Sequence, residues 1–369
     1  MELDSSNRMS AADLEEMLTF MLEERWNAPD DRLPAVMVWG PPGAGKSAIV
    51  RSVAEKCRCS FIDLRLAQME AIDIKGLPVP EADGVHWKIS AVYPRESSSR
   101  GILFLDELSA CDSTIQTAAY ELILDRKLGD DYRLPDNWLI VAAGNRIEDN
   151  ASAVAMSSAL ANRFLHVELE YNPKSWIDWA MKSGIHGAVT GLMRFKPQLL
   201  ADTNENTPNL ERGFPTPRSW ERVSVLLDRV REGASQELLK SMICGLVGNS
   251  AGLEALSFFN LYQEMQTVLK MMMDPDAEIH IPADIAKRYA LSSALSRMVW
   301  NEEAGDEKQR LSGFFRISLE LPGDFAAMAM LDAMELGKQA NQNTMALVTH
   351  PAYKAWIAKH GKAMRGRCA

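Results

Sequence analysis

The segment GPPGAGKS at residues 40–47 constrains this chain more than any other. It follows the apolar run AVMVW directly, and a helical pattern follows it in turn. A strand that feeds a G-x-x-x-x-G-K-[ST] loop and then a helix points successive backbone N–H groups and a helix N-terminus at one place. The glycines let the backbone wrap closely around a polyphosphate. The segment therefore predicts a phosphate-binding loop at the edge of an α/β fold.

This loop and the residue after it form the predicted nucleotide-binding set. The Lys46 ammonium is expected to reach the β- and γ-phosphates, and the Ser47 hydroxyl is expected to ligate Mg²⁺. The binding residues predicted from the motif are Gly40, Pro41, Pro42, Gly43, Ala44, Gly45, Lys46, Ser47 and Ala48. A nucleoside triphosphate with Mg²⁺ is thus the expected ligand.

Two adjacent acids end the most apolar strand pattern of the chain, GILFLDE at residues 101–107. Phosphoryl transfer depends on positioning and charge neutralisation, so it needs a carboxylate near the metal and a group that orients the attacking water. Asp106 is the candidate metal ligand beside Ser47, and Glu107 is the candidate base. Paired acids can also be a plain solvated strand end, but their combination with the loop favours the catalytic interpretation.

Strand patterns dominate the first half of the chain and nearly vanish beyond residue 172. Five apolar runs alternate with helical patterns, and two hairpin inserts are expected, one around 76–90 with its turn at Asp83 and Gly84, the other in 125–138. The predicted fold is an α/β P-loop core of parallel sheet flanked by helices, followed by a helical region. The predicted segments are 1–32 (N-terminal helix and linker), 33–172 (core) and a helical remainder to residue 369.

Composition excludes several classes of protein. The net charge of −10 would repel a polyanion, so nucleic acid is not the expected partner, and the basic residues within 354–367 are interpreted as a solvated tail. Five scattered cysteines favour neither a disulfide framework nor a zinc site. The absence of a signal-like start and of a run of about 18 apolar residues predicts a cytoplasmic chain without membrane insertion.

The order of these motifs resembles the AAA+ ATPases. Over about residues 33–225 the sequence resembles the MoxR-type branch of that family, which includes the CbbQ, NorQ, GvpN and dynein-related proteins. Such proteins carry a polar sensor, an arginine finger and a lid arginine, and AAGN, SSALANRF and FPTPRSW match them with Asn145, Arg163 and Arg218. The resemblance divides the helical remainder into an all-α lid at 173–235 and a C-terminal helical region at 236–369. It also implies ATP hydrolysis with Mg²⁺, in which Glu107 and these three residues take part.

The resemblance also implies an assembly and a kind of work. Fingers in this family act across a subunit boundary, so a homo-oligomeric ring, a hexamer, is expected. Relatives remodel a protein client as chaperones, commonly with a partner that bears a von Willebrand factor A domain. Trp87 and Lys88 of the first hairpin either touch a substrate or pack the hairpin on the core. A nucleic-acid motor of the MCM or McrB kind, and a scaffold with slow hydrolysis, stay open as alternatives.

Overall fold

The computed structural model describes residues 7–28, 33–82, 84–146, 154, 156–201, 213–230, 235–302 and 305–368, with the backbone alone at 366–368. The chain divides into two compact units, Met1–Asn172 and Pro173–Ala369. Within the described ranges, no helix combines the length and the apolar composition that crossing a bilayer requires.

A fully parallel sheet of six strands forms the centre of the first unit, in the order β1-β10-β2-β9-β6-β3. Its strands are β1 Arg8–Met9, β2 Ala35–Trp39, β3 Ser60–Arg65, β6 Gly101–Asp106, β9 Trp138–Gly144 and β10 Phe164–Leu169. The five predicted strands are confirmed, and they read as apolar runs because both faces of the sheet are covered. The short β1 was not predicted, since two residues carry no periodicity.

Helices cover the two faces of this sheet. They are α1 Ala11–Asn27, α2 Lys46–Lys56, α3 Ala71–Lys75, α4 Ser113–Asp125 and α5 Ser158–Ala161. One core lies between β2 residues such as Val36 and the helices α1 and α2, and the other lies between residues such as Met37 and α4. The predicted capping box of α1 is confirmed, because Ser10 and Asp13 bond each other's backbone amides.

Both predicted hairpin inserts are present. The first pairs β4 Leu77–Glu81 with β5 Gly84–Lys88, and the second pairs β7 Lys127–Leu128 with β8 Tyr132–Arg133. Asp131 joins them by accepting a hydrogen bond from the Trp87 backbone amide at 2.9 Å. The Trp87 side chain is 42% exposed, so it does not pack the hairpin on the core. Asp83 lies outside the described residues.

The second unit is helical throughout its described residues. Its helices are α6 Pro173–Lys182, α7 Gly187–Phe195, α8 Pro217–Arg229, α9 Gln236–Val247, α10 Asn249–Met272, α11 Ile285–Met298, α12 Glu307–Glu320, α13 Gly323–Gln339, α14 Met345–Thr349 and α15 Tyr353–Cys368. The predicted lid and C-terminal region share one hydrophobic core here, and the boundary between them at residue 235 stays a prediction.

The basic run near the end of the chain is not the solvated tail that its charges suggested. It lies on α15, whose Trp356 and His360 are buried. Lys359 and His360 both contact the Leu319 carbonyl. The tail interpretation failed because it counted charges and overlooked the apolar residues spaced between them.

Candidate nucleotide site

The phosphate loop connects β2 to α2 at the carboxyl edge of the sheet. Gly43 and Gly45 adopt the left-handed region, with φ of +77° and +94°, which residues with a Cβ rarely adopt. At Gly40 a Cβ would come within 3.0 Å of the Leu169 carbonyl oxygen. Among the described residues no side chain caps the N-terminus of α2, so its first N–H groups suit an anion.

Lys46 joins this loop to the end of β9. Its side chain is buried, and its ammonium donates hydrogen bonds to the carbonyls of Gly40 at 2.5 Å and Pro41 at 3.1 Å. The ammonium also donates to the Asn145 side-chain oxygen at 2.8 Å. The predicted phosphate-binding lysine and the predicted sensor therefore meet, although 99 positions separate them in the chain.

Ser47 and Asp106 bring together the oxygen atoms expected at a magnesium site. The Ser47 hydroxyl donates to Asp106 Oδ2 at 2.8 Å, and the Glu107 amide donates to Asp106 Oδ1 at 2.9 Å. Mg²⁺ takes oxygen ligands, and nucleotide sites bind it through one or two protein groups together with phosphates and water. A hydroxyl and a carboxylate in contact beside the loop fit that ion.

Glu107 has an unusual backbone conformation. Its φ is +61°, in the left-handed region that few residues other than glycine adopt. The turn is held from both sides. The Leu108 amide donates a hydrogen bond to the Ala143 carbonyl at 2.9 Å, and the Ala110 amide donates one to the Glu107 backbone carbonyl at 2.9 Å. Conformations of this kind persist where the surroundings impose them, and they concentrate at functional sites.

Ser109 holds the backbone of Asn145, the predicted sensor, and was missed from the sequence. Its hydroxyl accepts a hydrogen bond from the Asn145 amide at 2.9 Å and donates one to the Asn145 carbonyl at 3.0 Å. A Cβ at Gly144 would lie 2.6 Å from this hydroxyl oxygen, so the close approach requires glycine there. Its pairing with Asn145 across 36 positions left no local signal to find.

Asp63, on β3, is a second carboxylate of this neighbourhood that the sequence did not single out. Burial, reinforced by the negative charge of Asp106, raises the pKa of its carboxyl. The nearby Arg51 guanidinium, 3.5 Å away, opposes that rise. The proximity of Asp63 to Asp106 follows from the pairing of β3 with β6, which the sequence does not reveal.

The two predicted arginines are Arg163 of the first unit, which lies away from this cluster, and Arg218 of the second unit. Arg163 is exposed and directly precedes β10, whose first residue, Phe164, pairs with the first residue of β2. Arg163 therefore lies at the amino edge of the parallel sheet, opposite the phosphate loop. Arg218 is exposed on α8 of the second unit, in a first turn capped by Thr216.

The parallel sheet with a glycine-rich loop between β2 and α2 defines the first unit as a P-loop nucleoside-triphosphatase fold. Residues 35–164 match the family model described as AAA domain (dynein-related subfamily). The match covers about a third of the chain, and over this segment the chain is similar to the AAA domains of the AAA+ ATPases.

Known proteins resemble parts of the chain. Midasin of Giardia intestinalis is 25% identical over 155 residues, which cover 40% of this chain and 3% of midasin. The 26S protease regulatory subunit 6A of Caenorhabditis elegans is 27% identical over 136 residues, 34% of this chain and 29% of the subunit. The chain thus matches less than a third of either relative. The Thermotoga maritima RuvB Holliday junction branch migration motor aligns with 95% of this chain and 87% of its own, at 17% identity and a TM-score of 0.35.

Proposed function

We propose that this protein is a Mg²⁺-dependent ATPase that works as a hexameric ring and remodels a protein client, in the manner of the MoxR-type proteins. One observation carries the proposal. The groups needed for phosphate and metal binding meet at one edge of the sheet, whereas the candidate arginine finger lies at the opposite edge. Each subunit would then hold the nucleotide-binding half of a catalytic site at one edge of its sheet and the arginine half of another site at the opposite edge.

The residues at the carboxyl edge divide the work of hydrolysis. Lys46 would exchange its carbonyl contacts for the β- and γ-phosphate oxygens, beside the N–H groups of the loop. Ser47 and Asp106 would hold Mg²⁺, which neutralises charge on the phosphates when it is bound. Glu107 would orient the attacking water and accept its proton. Asn145, already in contact with Lys46, would sense the γ-phosphate.

The distance between the two edges supports catalysis across a subunit boundary. Arg163 precedes the Phe164–Ala35 pair, and the loop begins after the Glu168–Trp39 pair. Along β10, five residue steps of about 3.3 Å lead from Arg163 to the position opposite Trp39, a distance of roughly 16 Å. An arginine side chain reaches roughly 7 Å from its Cα by its bond lengths. Arg163 would therefore neutralise charge on a nucleotide held by a neighbouring copy.

Substitution of Arg163 tests this division of the site. Arg163→Ala should lower ATP turnover by about 10³-fold, because an arginine finger contributes 10³-fold or more, and should leave ADP affinity within about twofold. Arg222→Ala, an exposed arginine of α8, serves as the matched control. Mixing Arg163→Ala with Lys46→Ala subunits should restore part of the turnover, since each supplies the half that the other lacks. Full turnover by Arg163→Ala alone would refute the proposal.

Glu107→Gln tests the assignment of the base separately. The amide keeps the shape of the side chain but cannot accept the proton, so ATP should bind and persist uncleaved. Measurement of bound ATP and ADP after one hour distinguishes the trapped state from normal turnover. Rapid conversion to ADP in this variant would remove Glu107 from the mechanism.

The exposed face of the first hairpin supports the proposal that the client is a protein. Pro78, Pro80, Val85 and Trp87 lie on one face of β4 and β5, and all four are exposed. An apolar face of this kind suits contact with a polypeptide. The resemblance to midasin and to a regulatory subunit of the 26S protease also supports work on proteins. Partners co-purified with Glu107→Gln from the native host are expected to include a protein with a von Willebrand factor A domain.

The alternatives make different predictions for the same preparation. A nucleic-acid motor would show ATPase activity stimulated by DNA, with a steep dependence on salt. A nucleotide-dependent scaffold would complete one turnover slowly and stay assembled. We expect neither result.

A further inference from the structure

Two aromatic side chains connect the start of the phosphate loop with the segment that precedes Arg163. Trp39 is the last residue of β2, directly before Gly40, and its indole Nε1 donates a hydrogen bond to His166 Nδ1 at 2.8 Å. The other imidazole nitrogen, Nε2, lies 2.7 Å from the Ala161 carbonyl oxygen. The two ring planes differ by only 11°, and the ring centroids lie 6.0 Å apart. The contacts cross the sheet from its carboxyl edge toward its amino edge.

The chemistry of the two rings determines where the imidazole proton lies. An indole N–H can only donate, so Nδ1 of His166 must be the acceptor. The proton of the neutral ring is then on Nε2, which donates to the Ala161 carbonyl. Trp39 thus selects the one neutral tautomer of His166 that can hold Ala161.

The carbonyl that His166 holds belongs to a segment that needs support. The helix α5 has four residues, a length that is marginal without tertiary contacts, and Ala161 is its last residue. The Arg163 amide donates to the Leu160 carbonyl of this same turn at 3.1 Å. Any displacement of the turn therefore moves the backbone of Arg163.

We propose that His166 positions Arg163, and that Trp39 holds His166 in the required tautomer, so that the phosphate loop of one subunit is linked to the arginine it presents to the next. The inference rests on the proposed ring ATPase. His166 and Trp39 are positioning residues here, since neither belongs to the predicted nucleotide-binding or catalytic set.

Two substitutions separate the two hydrogen bonds of His166. In His166→Asn the side-chain oxygen can replace Nδ1 and accept from Trp39, but nothing replaces Nε2. In His166→Gln the amide nitrogen can replace Nε2 and still donate to Ala161. We expect His166→Asn to lower single-turnover hydrolysis about tenfold, since small misplacements of catalytic groups cost one to two orders of magnitude. His166→Gln should retain at least half of the wild-type rate, and ADP affinity should stay within about twofold in both.

The same substitution in the Arg163→Ala background distinguishes positioning from general damage. If His166 acts through Arg163, His166→Asn should cause no further loss there. An equal fractional loss in both backgrounds would overturn the inference, as would wild-type turnover by His166→Asn. Trp39→Phe keeps an aromatic ring and removes the donor, so it provides the same test if His166→Asn fails to fold by circular dichroism.

These outcomes separate the inference from the proposed function. Full turnover by Arg163→Ala alone would refute the ring ATPase mechanism itself. A large loss in Arg163→Ala together with unaffected His166→Asn and Trp39→Phe would refute only the linkage.

Discussion

Replacement of Ser109 by alanine tests how Asn145, the predicted sensor, is held. The hydroxyl is buried and makes two hydrogen bonds, both to the backbone of Asn145. A neutral hydrogen bond contributes about 1 kcal/mol to stability, so Ser109→Ala should cost about 2 kcal/mol. With a urea m-value of about 2 kcal/mol per M, the unfolding midpoint of the first unit should fall by about 1 M. Turnover should fall about tenfold, because Asn145 would lose its anchor.

The measurement has to report the first unit alone. Hydrogen exchange of the β9 amides in increasing urea does so, since β9 lies in the centre of that sheet. Thr117→Ala is the matched control, because this exposed threonine of α4, in the same unit, makes a single bond to the Ser113 carbonyl one turn earlier. The control should change stability by less than about 0.5 kcal/mol. Wild-type exchange and wild-type turnover in Ser109→Ala would refute the reasoning.

Three further substitutions test contacts within each of the two units. Arg194→Ala leaves the buried carboxylate of Asp332 without its partner and should cost about 3–5 kcal/mol in urea unfolding, whereas the double variant R194M/D332L should recover most of the loss. Burial and a nearby arginine lower the pKa of His186 to about 4, so its contribution to stability is complete above about pH 6.5 and is lost as pH falls toward 4. His186→Asn should flatten unfolding free energy against pH in that window, and an unchanged slope would contradict the assignment. Gly101→Ala places a Cβ 2.9 Å from the Trp138 ring and should cost about 1–3 kcal/mol, read from the melting temperature.

The local elements of the fold were predictable because their causes are local. The run AVMVW and the loop after it carry the strand, the turn and the start of α2 within a dozen residues. The capping pair Ser10 and Asp13 likewise predicts the start of α1 from residues that are close together in the chain. The hairpin of β4 and β5 was also visible, since its strands alternate on either side of a turn. The short β1 escaped prediction, because its stability comes from pairing with β10 and not from its own residues.

The candidate site was predictable only in its motif residues. Lys46, Ser47 and the two acids of GILFLDE belong to short patterns whose spacing reflects the geometry of phosphate binding. Ser109 belongs to no such pattern, because its role depends on a contact with a residue 36 positions away. Polar contacts of this kind become apparent only when the strands are placed side by side.

The sequence by itself determined that a glycine-rich loop after a strand, a pair of acids at a strand end and a run of buried strands exist, since each depends on residues close together in the chain. Only the tertiary structure decided that Lys46 contacts Asn145, that Trp39 contacts His166, and that Arg163 lies at the far edge of the sheet. The physical reason is the order of the strands. Hydrogen bonds between strands distant in sequence set which side chains meet, and the parallel direction of β2 and β10 places the loop and the arginine at opposite edges.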